Sequence, residues 1–127
     1  MKELKVLLVD DEEDFVSTLA ERLQFRNIPT LVATNGDDAI QVAEAERPSV
    51  VVLDVMMPGM GGLDVLRQLK RRHPETQIIL LTGRGSTKDG IKGMRLGAFD
   101  YLMKPIRIEE LIDKMKEALK ASKQRKD

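Results

Sequence analysis

The sequence of 127 residues has no cysteine, no tryptophan, one histidine and four aromatic side chains. Without cysteine there are no disulfides, no thiolate metal ligands and no cysteine nucleophile. The single histidine, His73, excludes a zinc site built from several histidines and argues against a Ser-His-Asp triad. Four aromatic side chains are too few for a platform on which nucleic-acid bases stack.

An excess of charge of either sign is also missing. Lys and Arg together number 21, as do Asp and Glu, so the formal net charge is zero. Proteins that bind nucleic acid by displacing counterions carry a basic excess, so we expect no direct nucleic-acid contact. No apolar run is long enough to span a membrane, and the first residues lead into a strand rather than a signal peptide. These absences predict a cytoplasmic protein without membrane contact.

Five short apolar runs rich in β-branched residues predict five strands. The runs begin at intervals of 21 to 28 residues, which is the length that a crossover helix and its loops require. The third and fourth runs do not alternate with polar residues, as expected for strands covered on both faces, and the proline that begins the second run marks an edge strand. The predicted strands are 5–9, 29–33, 50–53, 78–81 and 99–103.

The segments between the runs have helical spacing, most clearly in the last, where Ile108, Leu111, Ile112, Met115 and Leu119 share one face. The fourth helix contains Gly90 and Gly93, and each glycine costs up to about 1 kcal/mol relative to alanine, so we expect this helix to be marginal. The alternation predicts an α/β fold, a doubly wound five-stranded parallel sheet in a (βα)5 three-layer sandwich. We assign residues 1–121 to one domain and 122–127 to a frayed polar tail. The predicted helices are 14–25, 36–46, 62–73, 87–96 and the segment from 108 onward.

Polar residues follow the strands where ligands bind in open α/β sheets, beyond the carboxyl ends. If the strand order is the flavodoxin-like 2-1-3-4-5, then Asp10, Asp11 and Asp54 meet at one corner, where like charges raise their pKa values. Mg²⁺ relieves such crowding because it prefers oxygen ligands. Thr82 and Lys104 would add a hydroxyl and an ammonium group beside an anion on Asp54. This set of groups suits phosphoryl transfer.

Four motifs in this order resemble those of the receiver (CheY-like) domain of two-component response regulators: VDDE at 9–12, LDVMMPGMGGL at 53–63, LLTG at 80–83 and YLMKPI at 101–106. The resemblance covers essentially the whole chain. It implies a phosphorylation-activated signalling switch in which Asp54 is the phosphoacceptor and a histidine kinase or phosphotransfer protein is the donor. Such a switch is a regulatory phosphoprotein rather than an enzyme, apart from its own phosphorylation and dephosphorylation.

The resemblance also assigns roles to individual residues. Mg²⁺ is the implied cofactor, held by Asp10, Asp11, Asp54 and the backbone carbonyl of Met56, while Thr82 and Lys104 bind the phosphoryl group. Tyr101 is the implied switch aromatic, and the Lys104–Pro105 peptide is expected to be cis. The implied partner surface, for a downstream protein or for a phosphorylation-dependent homodimer, is the face of the fourth helix, fifth strand and fifth helix.

Two departures from the family pattern concern the loops around the site. Gly61 stands where the family commonly has an aspartate, which we expect to affect only loop rigidity. Met56 and Arg84 occupy the positions that flank the phosphoryl pocket and tune the lifetime of the acyl phosphate. We interpret His73, at a helix end before a proline, as a surface residue.

Alternative functions remain at this point. An aspartyl-nucleophile phosphatase of the haloacid-dehalogenase kind would place its nucleophile after the first strand and would need a cap insertion. A flavodoxin-type module would need a Ser/Thr/Gly-rich loop where this chain has five consecutive acidic residues, 10–14. Whether the chain acts alone or as part of a longer regulator stays open.

Overall fold

The fold is a five-stranded parallel sheet in which the strands, numbered along the chain, lie in the order 2-1-3-4-5, as the sequence predicts. The structure, a computed structural model, describes residues 3–83 and 87–125, with side chains as far as residue 122. Each predicted element is present, with its ends within two residues of the prediction except at the end of the last helix. The elements are β1 (Val6–Val9), α1 (Glu13–Phe25), β2 (Thr30–Ala33), α2 (Gly36–Glu46), β3 (Val50–Asp54), α3 (Gly62–Arg72), β4 (Gln77–Thr82), α4 (Thr87–Arg95), β5 (Asp100–Met103) and α5 (Ile108–Arg125).

The hydrophobic core lies in two layers, one on each face of the sheet. Every residue of β1, β3 and β4 is buried, because these central strands are covered by helices on both sides. One layer joins the sheet to α2, α3 and α4, and the other joins it to α1 and α5. The edge strands β2 and β5 are less buried, in agreement with the edge position that Pro29 predicts for β2.

Helix α5 is longer than the sequence analysis expects. It continues to Arg125, so it includes residues 122–125, which were expected to belong to a frayed tail. Ser122 is buried, and its hydroxyl donates a hydrogen bond of 3.2 Å to the carbonyl of Glu75. This contact fixes the end of α5 against the loop before β4. No helix in the described part of the chain is long and apolar enough to cross a membrane.

The two glycines of α4 are buried where the helix packs on the sheet. A Cβ atom at Gly90 would lie 2.8 Å from the ring of Tyr101, and one at Gly93 would overlap Leu80. Both glycines lower the helix propensity of α4. Because they have no side chains, however, α4 can approach β4 and β5 closely. Their place in the sequence is therefore explained by packing.

The interpretation of His73 as a surface residue is wrong, because its side chain is only 4% exposed. His73 follows α3, and its ring lies against the end of α2, with Nδ1 3.4 Å from Arg47 Nη1 and Nε2 3.6 Å from Glu44 Oε1. A guanidinium has no acceptor, so a hydrogen bond from Arg47 requires Nδ1 to be unprotonated. The Nε2 atom has no hydrogen-bond partner among the described residues. The ring thus packs between two helix ends.

Candidate functional site

Three carboxylates meet beyond the carboxyl ends of β1 and β3, the place that the sequence predicts. Because Val9 pairs with Leu53, Asp10 and Asp54 lie at the ends of adjacent strands. One carboxylate oxygen from each of Asp10, Asp11 and Asp54 lies within 4.8 Å of the others. Asp10 and Asp54 are buried, whereas Asp11 is exposed. This is a set of hard oxygen ligands open to solvent on one side.

Burial and crowding disfavour the charged form of Asp54. They raise its pKa from 3.8 to about 6, first because burial removes water from the carboxylate and second because Asp10 is negatively charged. The ammonium of Lys104 and a 3.2 Å hydrogen bond from the Met56 amide to Asp54 Oδ1 act in the opposite direction without cancelling the shift. Asp54 is therefore a more basic carboxylate than usual, and a cation in its vicinity would stabilise its charge.

Lys104 directly follows β5, and its side chain reaches the carboxylates. Its Nζ donates hydrogen bonds to Asp10 Oδ2 at 2.9 Å and Glu12 Oε1 at 3.3 Å, and it lies 3.9 Å from Asp54 Oδ2. Burial alone would lower the pKa of Lys104, but the hydrogen bond to Asp10 and the charge of Asp54 outweigh it, so that its pKa is raised. The Lys104–Pro105 peptide is cis, as expected. Lys104 is therefore a charged ammonium near neutral pH.

Thr82 ends β4 and is joined to β5 by a 2.7 Å hydrogen bond from the Lys104 amide to the Thr82 carbonyl. Its hydroxyl is fully buried and has no hydrogen-bond partner within the described part of the chain. A buried hydroxyl without a partner is unfavourable in a folded protein and is usually explained by a ligand or by water. Thr82 is thus available to hydrogen bond to an anion at this end of the sheet.

The remaining predicted residues lie around this centre. Tyr101 is half-buried on β5, and its ring packs on Gly90 of α4. The Met56 side chain is 61% exposed, and the contact that it makes with the carboxylates is through its amide. Arg84, expected beside the pocket, lies outside the described residues.

Three contributors to the site were missed by reasoning from the sequence. Gly62 lies against the backbone of Asp54 and Val55, and a Cβ atom there would overlap the Asp54 carbonyl oxygen. Glu12 and Phe15 both contact the Lys104 ammonium, Phe15 with its ring centroid 4.6 Å from Nζ. A glycine that begins a helix directly after a strand-end loop gives some indication of close approach. Nothing in the sequence pairs Phe15 with a residue 89 positions away.

Comparison with known proteins assigns the family. The sequence profile described as "Response regulator receiver domain" matches residues 6–116. The chain belongs to the response regulator receiver family. Receiver domains act as phosphorylation switches in two-component systems, and that general function applies here. Membership of this family favours the signalling switch over the phosphatase and flavin-binding alternatives.

The relatives are regulatory proteins. The chain is 38% identical over 120 residues to the uncharacterized transcriptional regulatory protein YkoG of Bacillus subtilis, covering 94% of this chain and 53% of that protein. It is 40% identical over 118 residues to the transcriptional regulatory protein CpxR of Klebsiella pneumoniae, covering 93% of this chain and 50% of that protein. The chain thus spans about half the length of these relatives.

Solved structures of receiver domains have the same fold. The receiver domain of NtrX from Brucella abortus superposes with a TM-score of 0.87 at 30% identity, covering 91% of this chain and 98% of that one. A response regulator receiver domain protein from Clostridium thermocellum gives a TM-score of 0.91 at 29% identity, covering 96% and 98%.

The site fits a divalent cation on its own chemistry. Three converging carboxylates supply hard oxygen ligands, and the negative charge of Asp10 adds to burial in raising the pKa of Asp54, a repulsion that a bound cation would relieve. Receiver domains generally use Mg²⁺, and this cluster is where such an ion would bind.

Proposed function

We propose that Asp54 accepts a phosphoryl group from the phosphohistidine of a histidine kinase or phosphotransfer protein. A carboxylate oxygen of Asp54 attacks phosphorus, the P–N bond to the imidazole breaks as the P–O bond forms, and the imidazole leaves with a proton from solvent. The raised pKa of Asp54 supports this role, because a more basic carboxylate is a better nucleophile. Hydrolysis of the acyl phosphate by water returns the protein to its first state.

We assign the metal ligands to Asp10, Asp11, Asp54 and the backbone carbonyl of Met56. When bound, Mg²⁺ would neutralise charge on phosphoryl oxygens. Asp10 and Asp11 would hold the ion, and Asp54 would be both a ligand and the nucleophile. The Thr82 hydroxyl and the Lys104 ammonium bind phosphoryl oxygens, which gives the buried Thr82 hydroxyl the partner that it lacks among the described residues.

The conformational response is assigned to Tyr101 and the surface of α4, β5 and α5. Thr82 and Tyr101 lie on adjacent strands, and the Tyr101 ring packs on α4, so a displaced Thr82 alters the contact of that ring. Ile91 and Met94 of α4 and Met103 of β5 are 40–47% exposed, which supplies apolar area for a protein partner. A downstream protein, or a second copy of the phosphorylated chain, binds this surface.

The proposal is carried by the meeting of three carboxylates and the Lys104 ammonium at Asp54, at the edge of the sheet where the Thr82 hydroxyl has no partner among the described residues. We expect acetyl phosphate with Mg²⁺ to produce a retarded band in Phos-tag electrophoresis of the wild type and none with Asp54→Asn, because amide nitrogen and oxygen are poor nucleophiles. The matched control is Asp64→Asn, which removes an exposed carboxylate of α3. Labelling of Asp54→Asn to the wild-type extent would contradict the proposal.

A further inference from the structure

Lys104 is held by two residues at the start of α1, Glu12 and Phe15, that are not among the proposed ligands of the metal or the phosphoryl group. Its Nζ contacts Glu12 Oε1 at 3.3 Å and lies 4.6 Å from the centroid of Phe15, in addition to its bond with Asp10. The hydrogen bonds go to Asp10 and Glu12, whereas Asp54 Oδ2, at 3.9 Å, is an ion-pair partner beyond hydrogen-bond distance. The ammonium is thus drawn toward α1 and away from the phosphoacceptor.

The start of α1 fixes both of these groups. Glu12 is the N-cap residue, and its amide donates a 2.9 Å hydrogen bond to Asp10 Oδ1. Phe15 follows three residues later, so both side chains lie on the same side of the first turn. The ring of Phe15 is half-buried against the α1–α5 layer of the core. It shields one side of the ammonium and leaves Glu12 and the two aspartates as its polar partners.

We propose that Glu12 is a positioning residue that competes with the phosphoryl group for Lys104, with Phe15 holding the ammonium within its reach. The inference rests on the proposed function, since it assumes that Lys104 binds a phosphoryl group on Asp54. In the unphosphorylated protein the Glu12 carboxylate retains Lys104. On phosphorylation the ammonium exchanges Glu12 for a phosphoryl oxygen, so Glu12 sets how readily the modified state forms.

The direction of the effect follows from which state contains the contact. An interaction made only in the unmodified state stabilises that state and opposes binding of the phosphoryl group. Because Glu12 is 67% exposed, the ion pair is a weak one, and its loss changes an equilibrium by a small factor. Removing it should therefore strengthen binding of a phosphoryl analogue, which is an outcome that damage to the fold does not produce.

The test is a titration of the full chain with beryllofluoride at saturating Mg²⁺, followed through the amide NMR signals of Thr82 and Tyr101. Glu12→Gln should bind beryllofluoride roughly two- to fivefold more tightly than the wild type. The control Glu13→Gln removes the same charge one residue away, from a side chain with no contact to Lys104 among the described residues, and should leave the affinity unchanged.

A third variant separates the effect of the Glu12–Lys104 contact from the effect of the negative charge at residue 12. Glu12→Asp keeps the negative charge but shortens the side chain by one methylene, so it should lose the 3.3 Å contact and bind more tightly, as Glu12→Gln does. The inference is overturned if Glu12→Gln binds no more tightly than Glu13→Gln, or if Glu12→Asp binds like the wild type. If the wild type itself fails to bind beryllofluoride, the proposed function fails rather than the role of Glu12.

Discussion

Asp54 lies in an environment that its charged form tolerates poorly. In the folded protein its pKa is about 6, against 3.8 for the ordinary carboxyl group. Below pH 3.8 both the folded and the unfolded chain carry it protonated, and it has no effect on stability. As the pH rises through this interval the unfolded chain ionises first, so the free energy of unfolding decreases, and the decrease is complete above about pH 6.

We therefore expect Asp54→Asn to be more stable than the wild type at pH 7.5 without metal. The shift sets an upper limit of about 3 kcal/mol on the gain in the free energy of unfolding. The gain should shrink as the pH falls from 6 toward 4. Urea unfolding in EDTA at several pH values measures it, with Asp64→Asn as the exposed control. A gain independent of pH would contradict the assignment of the destabilisation to the Asp54 charge.

Reasoning from the sequence predicts the residues that strand ends bring together. Asp54 ends a β-strand and Asp10 and Lys104 directly follow one, and the carboxyl ends of parallel strands share one edge of the sheet. The burial of His73 and the contact of Phe15 with Lys104 depend instead on how helices lie against each other. That arrangement comes from side-chain packing between segments distant in the sequence, which hydrophobic periodicity does not record.

At the scale of elements, α4 is the helix in which propensity and packing conflict. Gly93 lowers helix propensity by about 1 kcal/mol relative to alanine, yet a Cβ atom there would overlap Leu80 of β4. Overpacking a well-filled core destabilises a protein by about 1–3 kcal/mol, so the steric effect exceeds the gain in propensity.

We expect Gly93→Ala to destabilise the protein by up to about 2 kcal/mol in thermal or urea unfolding. The same substitution in a Leu80→Val background should be less harmful, because the shorter side chain leaves room for the new methyl group. If Gly93→Ala is stabilising in the wild-type background, propensity rather than packing governs this position.

The elements themselves are predictable because each one follows a strong pattern. Uninterrupted apolar runs identify the central strands, and Pro29 marks the edge strand β2. The end of α5 is less predictable, because its last turns are polar and Ser122 is fixed by the distant carbonyl of Glu75. The hydrophobic periodicity of the sequence therefore ends before α5 does.

At the scale of the whole molecule, a metal ion held by the carboxylate cluster would stabilise the folded state. A ligand that binds only the folded state at 100 times its Kd raises the free energy of unfolding by about 2.7 kcal/mol. We expect Mg²⁺ at that ratio to stabilise the wild type by this amount and Asp11→Asn much less, as measured by urea unfolding. Asp37→Asn, in the exposed first turn of α2, is the control. Equal stabilisation of all three proteins would place the ion elsewhere.

The strand β5 connects the two layers of the core. Tyr101 packs with the layer of α2, α3 and α4, while Lys104, three residues later, contacts Phe15 of the opposite layer. Residues 101–104 therefore place a contact with each of the two layers within one short stretch of edge backbone, so Lys104 lies only three residues from the ring that packs on α4.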